Sequence, residues 1–247
     1  MSKSGMITIL LTGILMTLCI QKTNAGPPFV TDDPEPVEYR HWEYYISTIN
    51  TFRTTNCTGI LPNVEVNYGL IPNVQMHLIL PLNYDYSTSQ GFRIGYANTE
   101  LGFKYRFVQE TKDIPQIGTF PMLEIPTINN SEFSSGHIQL FIPVWAQKSW
   151  GKLTTYGGAG YWINPGITNY NWLFTGFEMQ YDFSPVLTLG GEIYYHTKDT
   201  TVSKSSLGFN AGGSFNTGKK FHIIFSAGHS LINESFLTTY LGLLWTI

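Results

Sequence analysis

Apolar and polar residues alternate through most of this chain with a period of two. Between residues 63 and 82, NVEVNYGLIPNVQMHLILPL, Val64, Val66, Tyr68 and Leu70 alternate with Glu65, Asn67 and Gly69. Pro72 and Asn73 interrupt the run. Val74, Met76, Leu78, Leu80 and Leu82 then alternate with Gln75, His77 and Ile79. Successive side chains on a strand point to opposite faces, so this stretch predicts a β-hairpin with one apolar and one mostly polar face. A soluble sandwich would turn the apolar face to a core, and a transmembrane barrel would turn it to lipid.

The same rhythm predicts strands over 42–53, 62–70, 74–83, 98–108, 117–127 and 136–145, then 153–162, 172–183, 186–196, 205–215, 221–230 and 236–245. Most are close to the length a tilted strand needs to cross a bilayer. No stretch has the 3.6-residue period of a helix. Links after even strands are tight (69–73, 147–152, 183–186, 216–220), with 108–116 somewhat longer. Links after odd strands are longer and polar: 54–61, 84–97, 128–135, 164–171, 197–204 and 231–235. Short periplasmic turns and long outer loops are the habit of outer-membrane barrels, and a soluble sandwich has no reason to sort its loops by parity. The predicted fold class is all-β, an antiparallel transmembrane β-barrel of about twelve strands in meander order.

Composition agrees. Charged residues make up 13% of the chain, about half the usual share. Aromatics make up 15%, yet mean hydropathy is only −0.04. Apolar residues hidden in alternation give that combination.

Residues 1–25 read as a signal peptide: Lys3, an apolar run from Met6 to Ile20, then Thr23, Asn24 and Ala25 as a small-x-small cleavage site. Leu18 stands where a lipidation signal at Cys19 would carry a small residue, so export with cleavage is the expectation. Residues 26–40, rich in Pro and acid, would form a periplasmic arm, and 41–247 the barrel. The net charge of −3 becomes −5 once Lys3 and Lys22 are removed, which argues against a nucleic-acid partner. Cys57 is then the one cysteine left, so no intramolecular disulfide is expected. The six His show no metal-ligand spacing, and no metal or cofactor is expected.

The alternation places charge inside the barrel. Glu65, His77, Glu100, Lys104, Arg106, Glu124, Glu178 and Glu192 are the expected lumen-lining residues. Glu100 would oppose Glu124 across a turn centred near Lys112, and Glu178 would face Glu192 across Pro185. They would form either a charged constriction in a pore or a set of pairs that fill the lumen. Asp32, Asp33 and Glu35 in the arm would plug the lumen from below or belong to a periplasmic strap. Trp42, Trp145, Trp150 and Trp245 fall at predicted periplasmic ends, and Trp162 and Trp172 flank an outer loop. All six are expected in an interface aromatic belt.

The segment 26–45, GPPFVTDDPEPVEYRHWEYY, resembles a family of bacterial outer-membrane β-barrels labelled "putative meta-pathway of phenol degradation", whose members are often called transporters. The resemblance continues at Asn67, Tyr68, Gly69 and Leu70, and at Leu80, Pro81 and Leu82. It continues at 98–107 (NTELGFKYRF, where the family commonly has Asp in place of Asn98), 143–148 (PVWAQK), 156–166 (YGGAGYWINPG) and 189–192 (LGGE). The ending FLTTYLGLLWTI, with Leu237, Leu241, Leu243 and Trp245 on one face, resembles the closing strand read by the barrel-assembly machinery, although Thr246 and Ile247 follow the Trp. The resemblance implies an outer-membrane location, with outer-membrane lipid and the assembly machinery as partners. It also implies passive passage of small solutes, hydrophobic and aromatic ones included, and no enzyme activity. Two alternatives stay open: a structural or adhesion barrel acting through outer loops such as 84–97, and a lipid hydrolase built on His229, Ser230 and Asn233. Solute identity and oligomeric state are left open.

Overall fold

Twelve antiparallel strands close into a barrel in meander order. The structure is a computed structural model and describes residues 27–128 and 132–247. The expected signal segment lies outside the described residues. The strands are β1 (Trp42–Phe52), β2 (Asn56–Ile71), β3 (Val74–Ser87), β4 (Gly91–Tyr96 and Thr99–Val108) and β5 (Gln116–Thr119 and Met122–Ile125). They continue as β6 (Gln139–Trp150), β7 (Leu153–Ile163), β8 (Trp172–Ser184) and β9 (Leu187–His196). The last are β10 (Ser206–Asn216), β11 (Phe221–Ile232) and β12 (Leu237–Thr246). β12 returns to pair with β1 from Glu43↔Thr246 to Phe52↔Leu237, which closes the barrel wall.

β5 is split because Pro121 has no N–H to give the ladder and Phe120 turns its ring inward, 4% exposed. Its two halves pair with β4 on one side and β6 on the other. Tight turns gather at one end of the barrel. Asn73, with φ 67°, closes β2–β3, and Gly151, with φ 66°, closes β6–β7.

Two expected outer loops are strands instead. The predicted link 54–61 shrinks to residues 53–55, since β2 already begins at Asn56. The predicted loop 84–97 is a hairpin extension, with Tyr86 opposite Phe92 and a turn at residues 88–90. Ring stacking of Tyr84 on Phe92 at 5.8 Å and the Arg93–Asp85 pair at 2.5 Å hold it. β6 also runs further than expected, to Trp150, which moves Trp145 from a strand end to mid-strand.

Outward positions carry Ile46, Leu101, Phe103, Phe177 and Leu241, each at least 41% exposed. Inward positions carry buried polar groups such as Asn63, Gln75, Thr154, Gln180 and Asn210. That is a soluble protein turned inside out. A continuous apolar exterior of this extent belongs against acyl chains rather than water.

Candidate functional site in the barrel lumen

The inward face of β2, β3 and β4 carries a connected row of polar side chains. Glu65 accepts a bond from Asn67 Nδ2 at 2.8 Å. Asn67 Oδ1 meets His77 Nδ1 at 2.6 Å, and His77 Nε2 meets Glu100 Oε1 at 2.8 Å. Glu100 stands opposite Glu124 in the ladder, and Asn98 Nδ2 donates to Glu124 at 3.2 Å. On the far wall Glu178 stands opposite Glu192. Glu178 is fully buried. Gly190 leaves it room, for a Cβ there would lie 2.5 Å from its carboxylate. The basic side chain beside Glu100 is therefore His77. Lys104 and Arg106 turn elsewhere.

They turn to the arm. Residues 28–37 lie inside the barrel, as the plug rather than the strap of the two expected readings. Lys104 Nζ donates to Asp32 at 2.9 Å and Asp33 at 3.1 Å, and it sits 5.0 Å over the Phe120 ring. Glu35 accepts bonds from Gln116 at 3.2 Å and Gln147 at 3.3 Å, with Arg106 at 3.6 Å. Arg106 is held in turn by Asn73 and Gln116. Further up, both Glu192 oxygens accept backbone N–H groups, from Val30 at 2.8 Å and Thr31 at 2.7 Å. Ser226 donates to the Pro28 carbonyl at 2.7 Å. Val37 N donates to Gln75 at 2.8 Å. Thr31 seats against Gly176, where a Cβ would lie 2.1 Å from its hydroxyl.

The composition of the arm explains how it tolerates this place. Pro28, Pro34 and Pro36 bring no N–H, so the lumen has fewer backbone donors to satisfy. The Asp33 carboxyl is fully buried, and that burial pushes it up to about 8 against the pull of the Lys104 ammonium. A cavity of about 370 Å³ remains between the arm and the β1–β4 wall, bordered by Phe29, Val37, Glu43, Glu65, His77 and Glu100.

Above the arm the lumen is aromatic. Phe120, Phe141, Trp145, Phe174 and Tyr194 form one buried cluster, with Trp162 and Trp172 packed against it. Phe141, Trp162 and Trp172 stack in sequence at 4.8 and 5.4 Å. Trp145, Trp162 and Trp172 thus point inward, which corrects their expected place in an interface belt. Trp145 keeps step with Gln147 and Phe141 on the inward face of β6, and it is 1% exposed. Trp42, Trp150 and Trp245 do face outward at the tight-turn end, where Trp42 stacks on Tyr68 at 4.3 Å. His229 and Ser230 fall on opposite faces of β11, and each bonds a backbone carbonyl rather than the other's side chain. That geometry offers no His–Ser relay. The arm's docking groups Gln116, Gln147 and Ser226 escaped the sequence reading, and Gln75 was placed there on the polar face without a partner. Their inward parity was legible there, but their partner was not.

No protein-family model matches the chain, and no curated protein does. Solved structures match its fold. An outer membrane channel from Pseudomonas putida F1 has a TM-score of 0.71 at 13% identity, over 91% of this chain and 100% of that one. The KdgM porin has a TM-score of 0.53 at 12% identity, over 81% and 98%. The NanC porin has 0.56 at 7% identity, over 82% and 98%. At these identities the likeness shows the fold, that of an outer-membrane barrel.

Proposed function

We propose that the protein is an outer-membrane channel for passive diffusion of small solutes, held closed by its own N-terminal arm. The observation that carries this reading is what fills the lumen. Its centre is occupied by a tethered segment bound through side chains, not by a complete network of wall residues bonded to one another. When the segment leaves, a polar passage opens along Glu65, His77, Glu100, Lys104, Arg106, Glu124, Glu178 and Glu192. The outward apolar face and the ring of Trp42, Trp150 and Trp245 suit an outer-membrane location, with lipid as the surrounding partner. The matched structures described as a channel and as porins support the same reading. The aromatic layer at the outer end suits solutes with an apolar face, in keeping with the transporter family the sequence resembles. Planar-bilayer recording tests the reading. The wild-type protein should show brief openings, and Lys104→Ala should lengthen them while Glu100→Ala alters the single-channel conductance. Silence of all three proteins would overturn it.

A further inference from the structure

The arm is held the way a ligand is held. Apart from a single bridge between Tyr39 and Gly69 at its root, it joins no strand ladder. Its contacts come from side chains on β3, β4, β5, β6, β9 and β11. Two poles face each other across the lumen. On one wall the Glu192 carboxylate, oriented by Asn210 Nδ2 at 2.5 Å, receives the amides of two successive residues. On the other, Lys104 receives two successive acidic side chains, and Gln116 and Gln147 receive a third. Ser226 and Gln75 bracket the segment with one bond to a carbonyl and one from an amide. Lys104, Glu192, Gln75, Gln116, Gln147 and Asn210 are each at most 4% exposed. Burying that many polar groups is unfavourable unless a partner of matching chemistry meets them.

From this spacing we infer that the lumen is a recognition site for short, acidic, proline-containing peptides, with the arm as its tethered occupant. The required ligand has two adjacent free amides, then two adjacent carboxylates, then a third acidic group two residues on. Prolines fit between these groups because the wall asks nothing of the amides they lack. Each proline also fixes its own φ, which lowers the ordering cost of binding. The inference rests on the channel reading only in that a free ligand must be able to reach the lumen.

The test uses full-length protein in detergent and a fluorescently labelled peptide with the sequence of residues 28–37. The double variant Asp32→Asn/Asp33→Asn weakens the tethered occupant while leaving the wall intact. By fluorescence anisotropy the peptide should bind this variant about ten-fold more tightly than it binds wild type, because the arm no longer competes as well. A peptide carrying Asn at both acidic positions should bind about ten-fold more weakly. Adding Lys104→Met to the variant should abolish the difference between the two peptides, and Glu192→Gln should lower affinity for both, from the opposite wall. Equal binding of the two peptides to the double variant, or equal binding of the acidic peptide to wild type and variant, would overturn the inference. Bilayer recording on the same preparations separates the two readings. Peptide binding without conductance keeps the site and sinks the channel, and conductance without peptide binding does the reverse.

Discussion

Lys104→Met removes one charge and keeps the apolar stem that crosses Phe120. The Lys104 side chain is 5% exposed and that of Asp33 is 0% exposed, with Nζ within 3.1 Å of both Asp32 and Asp33. Deleting one member of a buried ion pair costs about 3–5 kcal/mol, since the partner charge is left without compensation. With its carboxyl standing at about 8, Asp33 is already largely protonated at neutral pH, so the loss of Lys104 leaves little uncompensated charge on it. The lower end, about 3 kcal/mol, is therefore the figure for neutral pH. The barrel is closed by backbone bonds from β1 to β12 that do not involve Lys104, so the cost falls on the docked arm. About 3 kcal/mol shifts the docked–undocked equilibrium by about a hundred-fold. Hydrogen exchange reads this directly. The amides of Val30, Thr31 and Val37 should exchange about a hundred-fold faster in the variant, while those of β6–β8 keep their protection. Unchanged protection in the arm would refute the reasoning, and so would a matching loss across the strands.

pH should act on the same equilibrium. Docked Asp33 holds its proton up to about 8, against 3.8 for the ordinary carboxyl. Docking is then strongest below about 4, weakens as pH rises from about 4 to about 8 and levels off above that, so channel open probability should climb across that window, and a fall would contradict it. Glu192→Gln keeps an acceptor for one of the two amides at best. It should speed exchange of Val30 and Thr31 about ten-fold, with Val37 less affected. Gly176→Ala drives a methyl into the Thr31 hydroxyl, 2.1 Å from the ideal Cβ position. It should raise open probability, and Thr31→Gly in the same chain should restore closure; lack of rescue would place the effect elsewhere. On the lipid face, Phe177, 50% exposed, replaced by Arg should destabilise the barrel by about 2–4 kcal/mol in urea unfolding from lipid vesicles, and an unchanged midpoint would argue against burial of that face in acyl chains.

Strand number, meander order and inner-face parity were legible in the alternation, because one face of every strand meets a single solvent. The pairings Glu100 with Glu124 and Glu178 with Glu192 followed from turn centres alone, and the ladder has both. Loop length was less legible. Residues 84–97 look polar enough for a loop, yet Tyr84, Phe92, Asp85 and Arg93 pair across strands beyond the apolar band. The tryptophans show a sharper lesson. Closeness to a strand end says nothing about face, and the even–odd phase shared by Trp145, Gln147 and Phe141 marked an inward ring. Whether the arm plugs the lumen or straps it from the periplasm could not be read. Its prolines exclude it from a ladder, but an acidic segment finds its cation through tertiary structure, and Lys104 lies 71 residues away from Asp33.

The arm also imposes an order on assembly. It leads the described chain, yet Thr31 docks on Glu192, 161 positions later, and Pro28 on Ser226, 198 positions later. Neither partner stands in place until β9 and β11 have joined the sheet. The arm precedes every strand in the chain, yet it can dock only after these late, long-range partners are in place.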